Sequence, residues 1–362
     1  MDHAGRLRCL QAALSENKLD AILVTHLPNV RYLCGFTGSS GVLSISGHEA
    51  TFFTDGRYAT QSRDEVAGAK IVVARKAPAL AAAEFLAALR RRRTAGRLGI
   101  EPLATTVGQR EQLGALLKGK WKIVSAPPLV EGARMVKDMD EIHLIRRAVD
   151  LGASLFQIAR KKLKPGIREV EVAAAMEHAA RRAGTEGMSF STIIAGGRRS
   201  AVVHGRASEA RIPQRGFVVC DFGVILAGYC SDRTRTVHVG FPSRQARELY
   251  EAVLEAQAAA IDRVRPGIAA AEVDGAARKV LRKHRLARYF THSTGHGLGL
   301  EIHEAPRLAA GQMQKLEPGM VITIEPGAYV PGKQGVRIED VAVVTRTGCE
   351  VLRPTDKELI IV

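Results

Sequence analysis

Two aspartates of this chain lie beside apolar, strand-like segments, where an ionised carboxylate needs a partner. The segment Phe217-Val-Val-Cys-Asp221 reads as an apolar strand ending in Asp221, and a glycine-containing turn leads to Asp232 at the start of a return strand. A hairpin of this length can bring both carboxylates to the same end. Because aspartate is rarely buried without a partner, the pair calls for a cation.

Complementary ligands lie further along the chain. The stretch from His292 through His296 to His303 holds three histidines among glycines, which argue against one regular helix. Glu325 and Glu339 each lie in or beside a strongly apolar strand, where a glutamate is costly unless a cation neutralises it. His303 does not begin an HExxH zinc motif, because the fifth position of that motif is an arginine.

Two Asp, two Glu and one His form a mostly oxygen ligand set with four negative charges. Such hard ligands suit Mn²⁺ and similar divalent ions, and the charge suits two ions better than one. Carboxylates can bridge two metals about 3.5–4 Å apart, and such sites in aminopeptidases activate a water between the metals.

The elements that must position these residues fall into two regions. Before about residue 125, the pattern predicts strands over residues 20–25, 41–46, 50–53 and 121–124, and helices over 79–92 and 107–117. This alternation indicates an α/β layer. Two prolines at 127 and 128 interrupt any regular element, so we expect domains over residues 1–127 and 128–362.

The second region contains an internal repeat. Lys164-Pro-Gly-Ile and Arg265-Pro-Gly-Ile lie 101 residues apart, and each precedes a helix with an aligned Glu-Val pair. Long helices are predicted before each copy, over residues 139–163 and 243–264. Pro-Gly often merely links two helices, but the aligned positions favour duplication of an ααββ unit. Two such units would set two half-sites face to face.

Several motifs together resemble the pita-bread metallopeptidases. They are D-x-G-x-x-x-x-G-Y-x-S-D-x-T-R-T, H-S-T-G-H-G-L-G-L-E-I-H-E, T-I-E-P-G and V-R-I-E-D, within residues 130–362. Among these enzymes the chain is more similar to Xaa-Pro aminopeptidases and prolidases than to methionine aminopeptidases. The segments Asn29-Val-Arg-Tyr-Leu-Cys-Gly-Phe-Thr-Gly-Ser and Phe53-Thr-Asp-Gly-Arg-Tyr resemble the creatinase-like N-terminal domain of this subgroup. The resemblance implies an α/β (α+β) fold with a duplicated ααββ catalytic domain.

The resemblance also implies roles for individual residues. The implied ligands of two divalent metal ions, Mn²⁺ first with Co, Zn or Fe as alternatives, are Asp221, Asp232, His296, Glu325 and Glu339. Asp232 and Glu339 are expected to bridge the ions. The implied substrate-side residues are His204, His292, His303, Tyr329 and Arg337. Among them His204 and His303 are expected to act in catalysis, with Glu325 as a proton shuttle. Without the resemblance, His204 is more often structural and Tyr329 could equally belong to the core.

The reaction implied by the resemblance is removal of an N-terminal residue from peptides with proline in second position. A hydroxide bridging the metals attacks the Xaa-Pro amide, so we expect an aminopeptidase. A prolidase, which cleaves only dipeptides, is the alternative, and it needs a cation for the proline carboxylate. Arg307 is the candidate for this cation, although an ordinary exposed arginine is an equal interpretation. A non-catalytic binding protein is disfavoured because all five ligands are present.

Composition limits the remaining possibilities. The net charge is +16, but the only dense basic run is Arg90 to Arg93 at the predicted end of a helix, so nucleic-acid binding is not expected. No apolar run could span a membrane, and no signal peptide is visible, so we expect a cytoplasmic protein. The five cysteines have irregular spacing and indicate neither disulfides nor a zinc ribbon. The resemblance implies a homodimer.

Overall fold

The computed structural model describes residues 1–89 and 95–362. The basic run at residues 90–93 and the last residues of the predicted helix 79–92 therefore lie outside the described residues. The described chain divides into two units, Met1–Arg134 and Met135–Val362. The boundary expected at residue 127 lies before helix Leu129–Met135, whereas the division falls at the end of that helix.

The first unit is built on a six-stranded mixed sheet. Within its described residues the strands β1 to β6 are Ala21–Val24, Gly41–Ser46, Ala50–Asp55, Lys70–Ala74, Gly96–Ile100 and Trp121–Ser125. Their order is β4-β3-β2-β1-β5-β6. The helices α1 to α6 are His3–Glu16, Leu27–Cys34, Ala59–Glu65, Pro78–Leu89, Val107–Leu117 and Leu129–Met135. The alternation predicted before residue 125 is thus an α/β layer, and the predicted helix 107–117 coincides with α5.

The second unit begins with two helix pairs that repeat one another. Helices α7 to α10 are Met139–Lys162, Glu169–Arg182, Arg244–Arg263 and Ala270–Lys283. Helix α8 maps onto α10 at both ends with the 101-residue offset of the Pro-Gly-Ile motif. The motif glycines, Gly166 and Gly267, also share a left-handed backbone, with φ of 83° and 86°. Glycine adopts this conformation without a Cβ penalty, so the turn is built alike in both copies. The predicted duplication is therefore visible in the fold.

Strands follow each helix pair. Those of the second unit, β7 to β19, are Gly187–Met188, Ile193–Gly196, Gly216–Phe222, Val224–Leu226, Tyr229–Cys230, Arg233–Val239, Gly295–Gly297, Glu304–Leu308, Val321–Ile324, Gly327–Val330, Gln334–Arg337, Asp340–Val344 and Cys349–Val351. The first half forms the sheet β12-β9-β8, and the second half forms β14-β13-β15-β18-β19.

Each half of the second unit has its own apolar core. Phe156, Val172 and Val218 belong to the cluster that joins α7 and α8 to the first sheet. Val253, Val273 and Ile322 belong to the cluster that joins α9 and α10 to the second. The two cores hold rigid sheets on which ligands can be fixed.

Two further predictions concern cysteines and membranes. All five cysteines are free thiols, and Cys34, Cys220 and Cys230 are buried, as expected for small apolar side chains. Every helix in the described part of the chain is too short or too polar to cross a bilayer.

Candidate metal centre

The hairpin of β9 and β12 positions the two aspartates. Asp221 lies in β9 opposite Thr234 of β12, and Asp232 directly precedes β12. Both side chains are buried, with exposed fractions of 7% and 6%. The return strand brings both carboxylates to the same end of the hairpin, as the sequence predicts.

Strand β13 supplies His296 between two glycines that the packing requires. A Cβ on Gly295 would lie 1.9 Å from the Thr323 carbonyl oxygen, and one on Gly297 would lie 2.2 Å from that of Ala305. Only glycine therefore lets β13 approach its neighbours β15 and β14 so closely. The glycines of the histidine-rich segment thus form a tightly packed strand rather than a helix.

The orientation of His296 leaves one ring nitrogen for a ligand. Its Nδ1 lies 2.9 Å from the Gly297 carbonyl oxygen, which can only accept, so Nδ1 carries the proton. Nε2 faces the carboxylates, 3.6 Å from Asp232 Oδ2 and 3.5 Å from Glu325 Oε1. Burial lowers the pKa of His296 to about 4, so the ring is neutral near pH 7 and its Nε2 lone pair is available.

The two glutamates are held at strand ends. Glu325 follows β15, and its backbone N–H donates to the Thr294 carbonyl at 2.7 Å. Glu339 lies between β17 and β18, and its Oε2 accepts a 2.7 Å hydrogen bond from Thr234 Oγ1. Thr234 was not singled out in the sequence, although its position two residues after Asp232 in a strand places both on one face.

The negative charges of the buried carboxylates are not fully neutralised by the cationic side chains that the structure describes. Burial, with repulsion from Glu339, raises the pKa values of Asp232 and Glu325 well above their usual range. Burial, with repulsion from Asp221, raises the pKa of Glu339 to about 8. One oxygen each of Asp221, Asp232 and Glu339 is buried without a hydrogen-bond partner among the described residues. Such oxygens are costly unless a cation binds them, so the site fits divalent ions.

The distances between the ligand atoms also fit a site for divalent ions. Ligand atoms of Asp232, His296 and Glu339 lie within 4.8 Å of one another. All five predicted ligands line a single cavity of about 490 Å³. Residues 118 positions apart in the chain are thereby brought together, two from the first half of the repeat and three from the second.

Arg337 organises the wall behind Asp221. Its guanidinium donates to the Asp221 carboxylate, to the Tyr329 hydroxyl at 2.7 Å, to Thr234 Oγ1 at 3.1 Å and to the Val203 carbonyl at 3.1 Å. Arg337 is 2% exposed, so these bonds fix it in one place. It lines the cavity, whereas Tyr329 lies behind the lining residues.

The three other predicted histidines also line the cavity, in different environments. His204 and His303 are exposed on its wall, and the ring of His303 lies against His296 at a centroid distance of 4.4 Å. His292 contacts the Tyr329 hydroxyl through Nε2 at 2.9 Å and the Ser293 carbonyl through Nδ1 at 2.8 Å. Both ring nitrogens of His292 have protein partners, so its expected contact with substrate stays a prediction.

Arg307, the predicted cation for a substrate carboxylate, also belongs to the cavity wall. It is exposed, lines the cavity and pairs in register with His296 across β13 and β14. No ion-pair partner of Arg307 is present among the described residues. Its neighbour Glu304, by contrast, forms a 2.9 Å buried ion pair with Lys137.

The apolar part of the wall was not predicted. Phe190, Ile193, Val203 and Ile302 line the cavity beside the polar groups. They come from three separate segments with no shared pattern, so no signal in the sequence identifies them as neighbours. The Lys137–Glu304 pair was missed for the same reason.

Comparisons with known proteins agree with this architecture. Residues 143–346 match the model of metallopeptidase family M24, and residues 6–136 match that of the creatinase/prolidase N-terminal domain. The Xaa-Pro dipeptidase of Pyrococcus furiosus is 36% identical, over 98% of this chain and 99% of its own. Among solved structures, the Xaa-Pro dipeptidase from Bacillus anthracis superposes with a TM-score of 0.92 at 38% identity, covering 100% of this chain and 99% of its own. The X-Pro aminopeptidase from Thermotoga maritima has a TM-score of 0.90 at 31% identity, covering 99% of both chains.

Proposed function

Because this chain belongs to metallopeptidase family M24, we propose that its metal centre hydrolyses the Xaa-Pro bond of dipeptides, as an Xaa-Pro dipeptidase (prolidase). The relatives named as Xaa-Pro dipeptidases support this choice. The preference drawn from sequence, an aminopeptidase, thereby becomes the second candidate.

The centre would hold two divalent ions, with Mn²⁺ the first candidate, through Asp221, Asp232, His296, Glu325 and Glu339. The unpartnered oxygens of Asp221, Asp232 and Glu339 are the observation that favours bound cations. When bound, such ions act as Lewis acids, which polarise a carbonyl and lower the pKa of water.

In this proposal the residues around the centre transfer the proton, stabilise the oxyanion and bind the proline ring. Glu325 takes the proton of the attacking water and delivers it to the proline nitrogen as the C–N bond breaks. His204 and His303, on the exposed wall, donate hydrogen bonds to the oxygen that becomes negative in the tetrahedral species. The apolar wall of Phe190, Ile193, Val203 and Ile302 receives the proline ring. Because a tertiary amide has no N–H, the site needs no acceptor at that position.

Arg307 is the residue that favours a dipeptidase over an aminopeptidase in this proposal. A guanidinium without an ion-pair partner in the described structure, on the wall of the cavity that holds the carboxylates, is available to a substrate carboxylate. In an Xaa-Pro dipeptide the proline carboxylate is the only carboxylate that the backbone offers near the scissile bond. A longer peptide has an amide at this position.

The test compares kcat/KM for Xaa-Pro and Xaa-Pro-Yaa substrates, with and without added Mn²⁺, in the parent and in Arg307→Ala. We expect the dipeptide to be preferred and Arg307→Ala to lower its kcat/KM by about 10- to 100-fold, since a charge-assisted contact is worth about 1.5–3 kcal/mol. Activity on the tripeptide should change little. Equal losses on both substrates would contradict the role given to Arg307.

The aminopeptidase remains the second candidate because Arg307 is exposed and the T. maritima structure is named as an X-Pro aminopeptidase. Efficient cleavage of Xaa-Pro-Yaa peptides by the parent would favour it. A cytoplasmic location and a homodimer also stay predictions, and sedimentation of the purified protein tests the second.

A further inference from the structure

A second cavity, of about 440 Å³, lies on the other face of strand β12. Side chains alternate along a strand. Thr234 and Thr236 point towards the metal centre, where they bond to Glu339 and to the Arg337 carbonyl. Arg233 and Arg235 point the other way and line the second cavity. Helix α7 contributes Arg160 to its wall, and the C-terminal segment contributes Arg353 and Thr355.

The interior of this cavity has more positive than negative charge. Arg235 is 2% exposed and donates to Asp340 Oδ1 at 2.6 Å. The same carboxylate accepts from Lys357 Nζ at 2.9 Å and from Gln257 Nε2 at 2.9 Å. One carboxylate, with a single negative charge, therefore serves two cations.

Arg233 is a third cation in this cavity. It is 4% exposed, and its Nη2 donates to the Thr355 hydroxyl at 2.6 Å. Its Nε is buried without a partner, and no carboxylate of the described residues forms an ion pair with it. Asp356 and Glu358 line the cavity too, but they are exposed, and the Asp356 carboxylate accepts from the Glu358 backbone N–H at 2.9 Å. A buried guanidinium without an ion-pair partner is costly, and an anion bound in the cavity would offset that cost.

We propose that this cavity, the arginine pocket, binds a phosphate-class oxyanion, either inorganic phosphate or the phosphate group of a small monoester. Guanidinium groups donate in a fork that matches tetrahedral oxyanions, and Thr355 adds a hydroxyl. Arg160 and Arg353 lie on the exposed rim and add positive charge, and Arg353 Nε also lies 3.7 Å from Asp150 Oδ1. Phe156 and Leu359 give the cavity an apolar side for the organic part of a monoester. The proposal does not depend on the reaction at the metal centre.

Titration calorimetry of the metal-loaded enzyme at constant ionic strength tests the proposal, with inorganic phosphate and phenyl phosphate as separate probes. We expect saturable binding of at least one probe, and a tighter Kd for phenyl phosphate identifies a monoester as the better ligand. Arg233→Leu should raise the Kd at least about tenfold, whereas Arg182→Leu, the same change at an exposed position of α8, should not. Phosphate bound at the metal centre would persist in Arg233→Leu, so an unchanged Kd in that variant overturns the proposal, as does the absence of binding.

Thermal melting distinguishes a role of Arg233 in binding phosphate from a purely structural role. In phosphate-free buffer, Arg233→Leu should melt no lower than the parent, because it removes an unpaired buried charge. Phosphate should then raise the Tm of the parent and not that of the variant. A large loss of Tm in phosphate-free buffer would make Arg233 structural and overturn the proposal. Arg160→Gln, on the rim, provides a second variant that should weaken phosphate binding several-fold with the Tm unchanged.

Discussion

Asp232 and Glu339 each keep one carboxylate oxygen buried and without a hydrogen-bond partner in the described structure. The other oxygens are engaged differently: Oδ2 of Asp232 lies 3.6 Å from His296 Nε2, while Oε2 of Glu339 accepts from Thr234. These are the two residues that the sequence resemblance names as bridges between the ions. Because a hydrogen bond from Thr234 already holds Glu339 Oε2, whereas no such donor among the described residues contacts Asp232, the binding of cations by Asp232 is the simpler of the two to test.

Asp232→Asn should lower both metal content and kcat/KM, because it removes one ligand charge and replaces one oxygen by an NH₂ donor that cannot bind a cation. The metal-to-protein ratio of the dialysed variant, by inductively coupled plasma mass spectrometry, checks the first effect. Asp262→Asn, the same change at an exposed position of α9, is the control. Unchanged metal content together with an unchanged rate would show that Asp232 is not a ligand.

His204→Ala should separate catalysis from metal binding. His204 lies on the exposed wall of the cavity, and its predicted role is a hydrogen bond to the reacting carbonyl or leaving group. We expect the metal content to stay at the parent level and kcat to fall by about 10²–10⁴-fold, the usual value of such a group. Loss of metal from the variant would instead make His204 a ligand.

At the scale of elements, the position of His296 depends on how closely β13 packs between β14 and β15. Gly295→Ala places a Cβ 1.9 Å from the Thr323 carbonyl oxygen, so the two strands must separate. We expect a loss of at least about 1–3 kcal/mol in the free energy of unfolding, together with weaker metal binding.

Gly275→Ala is the matched control for this substitution. A Cβ at Gly275 meets no atom within 4 Å, and the residue is exposed inside helix α10. Alanine is the better helix former there, so the control should gain about 0.5–1 kcal/mol. Urea unfolding of both variants measures the difference. Equal stability of Gly295→Ala and the parent would contradict the tight packing of β13.

The sequence predicts the longer elements because their signals are local. Helix α5 and strand β2 match the predicted bounds, and the predicted helix 139–163 differs from α7 by one residue. Strand β4 was missed because it is a sheet edge, where Val72 and Val73 are both exposed and no alternation of apolar residues develops. A strand of two residues such as β7 is defined only by its partner β10, which lies far along the chain.

The residues of the site likewise include some that the sequence predicts and some that it does not. Motif resemblance identifies the residues that gather at the carboxylates, because spacing and residue type are visible in a sequence. Contacts between distant segments are not, and these include Thr234 with Glu339, Lys137 with Glu304, and the excess of arginine behind β12. Their geometry follows from sheet register and packing, which no single segment encodes.

For the whole molecule, removal of the metal should affect stability as well as turnover. Four carboxylates converge in one cavity, and without cations they repel one another across a buried space. Chelation should abolish activity, and Mn²⁺ or Co²⁺ should restore it. A ligand at 100 times its Kd adds about 2.7 kcal/mol, so chelation should lower the Tm by about 5–10 °C.

Differential scanning fluorimetry with and without chelator measures this shift, and peptide hydrolysis in the same samples measures activity. A matched sample in which excess Mn²⁺ is added before the chelator controls for effects of the chelator itself. Full turnover by protein shown to be free of metal would refute the two-metal proposal.

Division of the ligands between the two halves of the repeat also sets an order of events during synthesis on the ribosome. At about 5–20 residues per second, the roughly 120 residues from Asp221 to Glu339 take roughly 6–24 s to emerge. Throughout that interval the nascent chain lacks at least one of the five residues, because His296 and Glu325 emerge before Glu339 does. The five proposed ligands are therefore complete only after Glu339 has emerged, so the supply of metal matters after the second half of the repeat has been made and not while the first half is growing.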